Sequence, residues 1–255
     1  MILTRTSYPL AYDHVLPDVT GIDGDSPCVV FCPGFNSTRQ GAKALAIETH
    51  CRQNNIEFIR FDYGGHGESG GDFAKGSISA WLNDTLDVIE RLPKSRQVML
   101  VGSSMGGWIA LLAAIAKPKI VGGLLLIACA ADMTRYYPSR LKGLPTLSDE
   151  SGRNYFSVPN EYGDQLPYRV YQHLIDDGGA HYLLDQPIDL TIPVRLIHGV
   201  DDDVVEWQRS ERVLAQLTSK DATLQLIKNG DHRLSNPRHI AHIQTALSDL
   251  IDLGE

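Results

Sequence analysis

The 255-residue chain is 43% hydrophobic and 21% charged, which suits one α/β domain with a substantial buried core. Its net charge of −8, with no cluster of Lys and Arg, argues against nucleic acid or an anionic membrane surface as a partner. No stretch approaches the roughly 18–20 apolar residues of a membrane span, and Met1-Ile2-Leu3-Thr4-Arg5 is not a secretory signal, so a cytoplasmic protein is expected.

In chain order, a hairpin is read through Ile2 to Thr6 and Leu10 to His14, and Cys28 to Cys32 reads as a buried strand. Gln40 to Asn54 is read as a helix and Glu57 to Phe61 as the next strand. Ile78, Trp81, Leu82, Thr85, Leu86 and Ile89 then recur at helical spacing. A strand over Gln97 to Val101 runs into Gly102-Ser103-Ser104-Met105-Gly106, and the helix that follows carries Ile109, Leu112, Ala113 and Ala116 up to Pro118. Val121 to Ile127, Val194 to Ile197 and Thr223 to Ile227 complete the strands. Asn236 caps a final helix with Pro237 in its first turn. Strands alternating with amphipathic helices predict an α/β fold with a mostly parallel, doubly wound sheet.

One stretch, about 130 to 192, breaks the alternation. It holds seven of the ten tyrosines and no clear strand, and a structureless loop of that length is improbable in a compact domain. It is read as a small, partly helical cap inserted into a single domain spanning residues 1–255.

Cys28, Cys32, Cys51 and Cys129 lie in or near apolar segments without a CxxC spacing, and are read as buried reduced thiols rather than a metal or redox site. His239 and His242 sit three apart on a helix, but no acid or thiol joins them as a metal set.

The chemistry rests on a nucleophile elbow. A G-x-S-x-G string arises by chance in roughly one chain in ten of this length, so context must decide between the two matches here. Gly67-Glu68-Ser69-Gly70-Gly71 lies past its strand and is followed by Asp72, with no helix. Gly102 to Gly106 has a strand before it and a helix after it, as an elbow needs, which makes Ser104 the candidate nucleophile.

A serine needs a base, and the base needs an acid, in the chain order Ser, Asp or Glu, His. His198-Gly199-Val200-Asp201-Asp202-Asp203 follows a late strand and supplies the acid. Three adjacent aspartates leave the choice open on chemistry alone; Asp202 is favoured, with Asp201 and Asp203 read as solvated turn residues. His232 follows the last strand and is the candidate base, whereas His66 is read as shaping a turn and His198 as packing at its strand end. The Met105 N–H and the Phe35 N–H, in the loop Pro33-Gly34-Phe35-Asn36, are the candidate oxyanion-hole donors. Phe35, Trp108, Tyr136, Tyr137 and Phe156 are candidate substrate-binding residues, with Leu141 and Leu144 beside them.

Together, Pro33-Gly34-Phe35, Asp62-Tyr63-Gly64-Gly65-His66-Gly67-Glu68-Ser69, the elbow, His198-Gly199 with Asp202, and Asp231-His232 resemble the α/β-hydrolase serine hydrolases over nearly the whole chain. Finer strings, including Lys43-Ala44-Leu45-Ala46-Ile47-Glu48 and Asp231-His232-Arg233, are similar to the mitochondrial alpha/beta hydrolase domain-containing enzymes that act as S-depalmitoylases and acyl-glucuronide esterases. That resemblance implies triad roles for Ser104, Asp202 and His232. The expected function is hydrolysis of ester or thioester bonds in small-molecule or acyl-protein substrates through an acyl-enzyme, with no metal or organic cofactor. Lactone or C–C bond hydrolysis on the same triad, or ligand binding without turnover, are the alternatives.

Overall fold

The structure, a computed structural model, describes residues 1–4, 7–17, 27–92, 97–159 and 167–252. Its elements begin with β1 (Ile2–Leu3), β2 (Leu10–Val15), β3 (Cys28–Cys32), α1 (Ala42–Gln53), β4 (Glu57–Phe61), α2 (Ile78–Ile89), β5 (Val98–Ser103), α3 (Met105–Ala116) and β6 (Val121–Ile127). There follow α4 (Met133–Arg140), β7 (Thr146–Ser148), β8 (Asn154–Val158), β9 (Tyr168–Tyr171), α5 (Gln172–Gly178), β10 (Val194–Gly199), α6 (Gln208–Gln216), β11 (Ala222–Ile227) and α7 (Pro237–Asp252).

Eight strands form one sheet in the order β1-β2-β4-β3-β5-β6-β10-β11. The pairings of β1 with β2 and of β2 with β4 are antiparallel, and those from β4 through β11 are parallel. The predicted hairpin is thus present as β1 and β2, although residues 5 and 6 of its predicted first strand lie outside the described residues.

Strand alternation divides the core in two. Cys28, Val30 and Cys32 face one layer with Leu100, Leu124 and Leu126, against Trp81 of α2 and Trp108 of α3. Val29 and Phe31 face the other with Met99, Val101 and Leu125, against Ile47 of α1 and Ile243 and Leu247 of α7. Because both faces are covered, the central strands read as unbroken apolar runs rather than alternating ones. The four cysteines are free and buried in these layers, and burial pushes the thiols of Cys32, Cys51 and Cys129 up to about 12.

The segment between β6 and β10 departs from the sequence reading. It contains α4 and α5, and also an antiparallel sheet in the order β7-β8-β9. These strands escape a periodicity reading because β7 is exposed throughout and β8 is half-buried on both faces, so neither shows an apolar alternation. The two ends of the segment are tied together by Asp132. Its buried carboxylate accepts the Leu183 and Leu184 N–H groups at 2.8 and 3.1 Å.

Candidate active site

The site stands at the carboxyl ends of β5, β10 and β11, where loops leave a parallel sheet. Ser104 links β5 directly to α3 with φ 54° and ψ −119°, a conformation costing about 1–3 kcal/mol outside glycine. Three backbone bonds hold it there. Ser104 N donates to Ile127 O at 2.8 Å, and Ser104 O accepts from Gly107 N at 2.9 Å and Ala130 N at 3.0 Å. The flanking glycines are required by contact: a Cβ on Gly102 would lie 2.4 Å from Gly106 O, and one on Gly106 would lie 2.0 Å from Cys32 O.

His232, in the loop after β11, places Nε2 3.0 Å from Ser104 Oγ and Nδ1 2.7 Å from Asp202 Oδ2. Asp202, in the loop after β10, has a fully buried side chain. Its Oδ1 accepts the Val204 and Val205 N–H groups at 2.9 and 2.7 Å. Burial alone would raise this carboxyl; the hydrogen bonds from His198 and His232, aided by the His232 charge and the Val205 N–H, hold it well below the usual carboxylate range. The adjacent Asp201 and Asp203 are exposed. Among the described residues, no acceptor is found for the N–H of Met105 or Phe35.

A cavity of about 450 Å³ opens over Ser104 and His232. Phe35, Met133, Leu141, Leu144, Val170 and Val204 give it apolar walls. That volume falls in the range of small-molecule sites, about 300–1,000 Å³.

A family model described as serine aminopeptidase, S33, matches residues 25–155 of the chain. The mitochondrial palmitoyl-protein thioesterase ABHD10 of mouse is 37% identical over 98% of this chain and 82% of its own length. The chain belongs to the α/β hydrolases. With the serine-peptidase family model and relatives named as thioesterases, it is a serine hydrolase. The human protein of the same name is 37% identical over 91% of this chain and 75% of its own. The solved mouse structure of alpha/beta hydrolase domain-containing protein 10 superposes with a TM-score of 0.85 at 34% identity, covering 100% of this chain and 99% of the other. These relatives overturn the cytoplasmic expectation, because their names place them in mitochondria. That expectation rested on the opening residues and the composition, which carry little information on compartment.

Within this hydrolase the other predicted residues divide. Phe35, Tyr136 and Tyr137 line the cavity. Trp108 does not: it is completely buried, with Nε1 donating to His181 O at 3.1 Å and its ring stacked on Tyr182. Phe156, half-buried on β8, is not in the cavity wall either. Aromatic character near the site does not say which side of a helix or strand a residue occupies. Tyr162, one of the seven tyrosines in the stretch at about 130 to 192, lies outside the described residues. Ser69, the second G-x-S-x-G serine, is bound into a turn, accepting from Ala11 N at 2.8 Å and donating to Asp62 O at 2.7 Å.

Sequence reasoning missed three residues. His198 was read as strand-end packing, yet its Nε2 lies 2.9 Å from Asp202 Oδ2 and 2.9 Å from Val205 O. A carbonyl only accepts, so Nε2 carries the proton, and Nδ1 takes the Ser210 hydroxyl at 2.7 Å. The four-residue spacing from Asp202 was the available signal. Lys43 lines the cavity and donates to Arg233 O; burial lowers it to about 8 against the pull of Asp231 and Asp202. Arg209, from the first turn of α6, also lines the cavity, and nothing in its local sequence marked it.

His66 does more than shape its turn. Its Nε2 accepts the Asn36 N–H at 3.2 Å and Nδ1 faces Gly64 O at 3.3 Å, so a neutral ring fastens the loop carrying Phe35. Burial lowers its pKa to about 4, against 6.5 when free, with Gly64 and Asp62 opposing. Between those values the unfolded chain binds a proton that the folded chain does not. Stability contributed by His66 is therefore full above about pH 6.5 and falls as pH is lowered toward 4. Denaturant titrations should show His66→Gln losing about 1.4 kcal/mol per pH unit of the wild-type slope in that window. Parallel wild-type and variant profiles would refute the assignment.

Proposed function

We propose that Ser104, Asp202 and His232 form the catalytic triad of an esterase or acyl-protein thioesterase. The reading is carried by the continuous hydrogen-bonded line from Asp202 through His232 to Ser104 at a strained elbow. In this scheme His232 Nε2 takes the Ser104 proton as Oγ attacks the acyl carbonyl, and then delivers that proton to the departing alcohol or thiol. Water enters by the same base and releases the acid from the acyl-enzyme.

The oxyanion is assigned to the N–H groups of Met105 and Phe35. The first N–H of α3 is unpaired by helix geometry, and the second stands in a loop fastened by His66. The segment from about 130 to 192 acts as a cap, since Met133, Leu141, Leu144 and Val170 from it wall the cavity. A thioester substrate is supported by the mouse and human relatives named as palmitoyl-protein thioesterases, and an acyl group by the apolar walls.

An acyl-chain series of p-nitrophenyl esters tests this. Each methylene moved from water into the cavity is worth about 0.8 kcal/mol, so kcat/KM should rise about fourfold per carbon over the short chains. A flat profile would remove the acyl-pocket assignment, and a wild-type protein that a fluorophosphonate fails to label would remove the triad.

A further inference from the structure

The charged groups in the cavity wall are of one sign. Lys43, Arg140, Arg209 and Arg233 contribute to it, and no Asp or Glu among the described residues does. Three of these cations have partners: Lys43 donates to Arg233 O, Arg140 reaches Asp203 O at 3.5 Å, and Arg233 is engaged as well. Arg209 differs. It is only 6% exposed, yet among the described residues nothing accepts a hydrogen bond from its guanidinium, and its Nε is buried without a partner.

The contact Arg209 does make is with a ring face: its guanidinium carbon sits 3.6 Å from the Tyr136 ring centroid. Stacking engages the flat of the guanidinium and leaves its five N–H donors, which bind in the plane, unused. Burial lowers its pKa, but an arginine stays cationic at any physiological pH. Glu206 acts on it only through its field, and no carboxylate of the described residues forms an ion pair with it. With its Nε buried and unpartnered and no carboxylate of the described residues paired with it, this cation in the cavity wall is suited to a bound anion.

We propose that Arg209 is a specificity-determining residue that binds a carboxylate at the far end of the substrate's acyl group. The proposal rests on the hydrolase reading of this cavity and narrows its substrate class to ω-carboxyacyl esters or thioesters. A planar two-oxygen carboxylate matches the guanidinium fork. Placement on the acyl side follows from burial: a protein thiol or bulky alcohol stays outside, so a wall residue this enclosed meets the part of the substrate that enters.

The test compares wild type on mono-p-nitrophenyl esters of the C6 to C10 dicarboxylic acids with p-nitrophenyl alkanoates of equal length. At the length that spans from Ser104 to Arg209, the ω-carboxy ester should exceed its alkanoate by about tenfold or more in kcat/KM, mostly through KM. Alkanoate rates should stop climbing at that same length. Arg209→Met should reduce the carboxylate-to-alkanoate ratio by about tenfold, with Arg209→Lys, which keeps the charge and loses the fork, in between. Fluorophosphonate labelling of each variant shows that its site is assembled. Alkanoates hydrolysed as fast as or faster than ω-carboxy esters at every length would overturn the proposal and leave the hydrolase reading intact. A preference for 4-carboxyphenyl over phenyl butyrate, without one for ω-carboxy esters, would overturn the acyl-side placement. Absent labelling and turnover in wild type would remove both readings together.

Discussion

Replacing Ser104 with alanine is expected to lower kcat on acyl esters by about 10⁵- to 10⁶-fold and to abolish fluorophosphonate labelling. The magnitude follows from what is removed. Ser104 Oγ is the atom that His232 Nε2 approaches at 3.0 Å, and with it go both the nucleophile and the covalent intermediate. What remains is the catalysis an oxyanion hole and bound water supply alone, about 10³- to 10⁴-fold over solution. The fold should survive, because alanine inherits the backbone strain of serine at φ 54° without adding to it, and the bonds holding the elbow use backbone atoms only. Thermal unfolding should therefore stay close to wild type. An alanine variant that keeps measurable labelling would move the nucleophile elsewhere, whereas one that is unfolded would say nothing against the role and would be replaced by Ser104→Cys, read by its changed preference for thiol-reactive probes.

The sheet was legible because each of its central strands is a short β-branched or leucine run followed by a helical stripe, and burial on both faces imposes that pattern. The elbow was legible for a related reason: Gly102 lets β5 pass α3, and Gly106 lets α3 pass the end of β3, at contacts where any Cβ would collide, so the motif records backbone proximity. The order of Ser104, Asp202 and His232 followed from topology in the same way. By contrast β7 is exposed and β8 only half-buried, and a strand without a dry face leaves no periodic trace, while β9 is four residues long, too short to show one. Trp108 was placed in the pocket because aromatics line acyl sites, but its indole lies on the buried side of α3, where nearly every residue is enclosed and composition gives no direction. Arg209 and Lys43 went unread since a single basic residue on an amphipathic helix is ordinarily a solvated one. Their placement in the cavity depends on how α6 and α1 dock, which is a tertiary fact.

Asp202→Asn is expected to cost about 10⁴-fold in kcat, with Asp201→Asn and Asp203→Asn within about twofold of wild type. The three aspartates are chemically equal in sequence and sharply unequal in surroundings. Four donors converge on the Asp202 carboxylate: the Val204 and Val205 N–H groups on Oδ1, and His232 Nδ1 with His198 Nε2 on Oδ2. A carboxylate accepts on both oxygens; a carboxamide accepts on one and donates from the other. If the amide oxygen faces the backbone pair, the NH₂ group meets two imidazole nitrogens. His198 must keep its proton on Nε2 for Val205 O, so its N–H then confronts an N–H. His232 is driven to the tautomer with its proton on Nε2, where it cannot act as a base toward Ser104. If the amide turns over, two buried backbone donors lose their acceptor instead, at about 1–3 kcal/mol each. Either way the variant should lose some stability as well as rate, whereas exposed Asp201 and Asp203 should lose neither. The assignment fails if Asp202→Asn retains near-normal turnover while Asp201→Asn is crippled. His198→Gln separates the two contributions: removing the second imidazole should weaken the carboxylate's hold on its geometry and lower kcat far less than Asp202→Asn, because His232 Nδ1 keeps its acceptor.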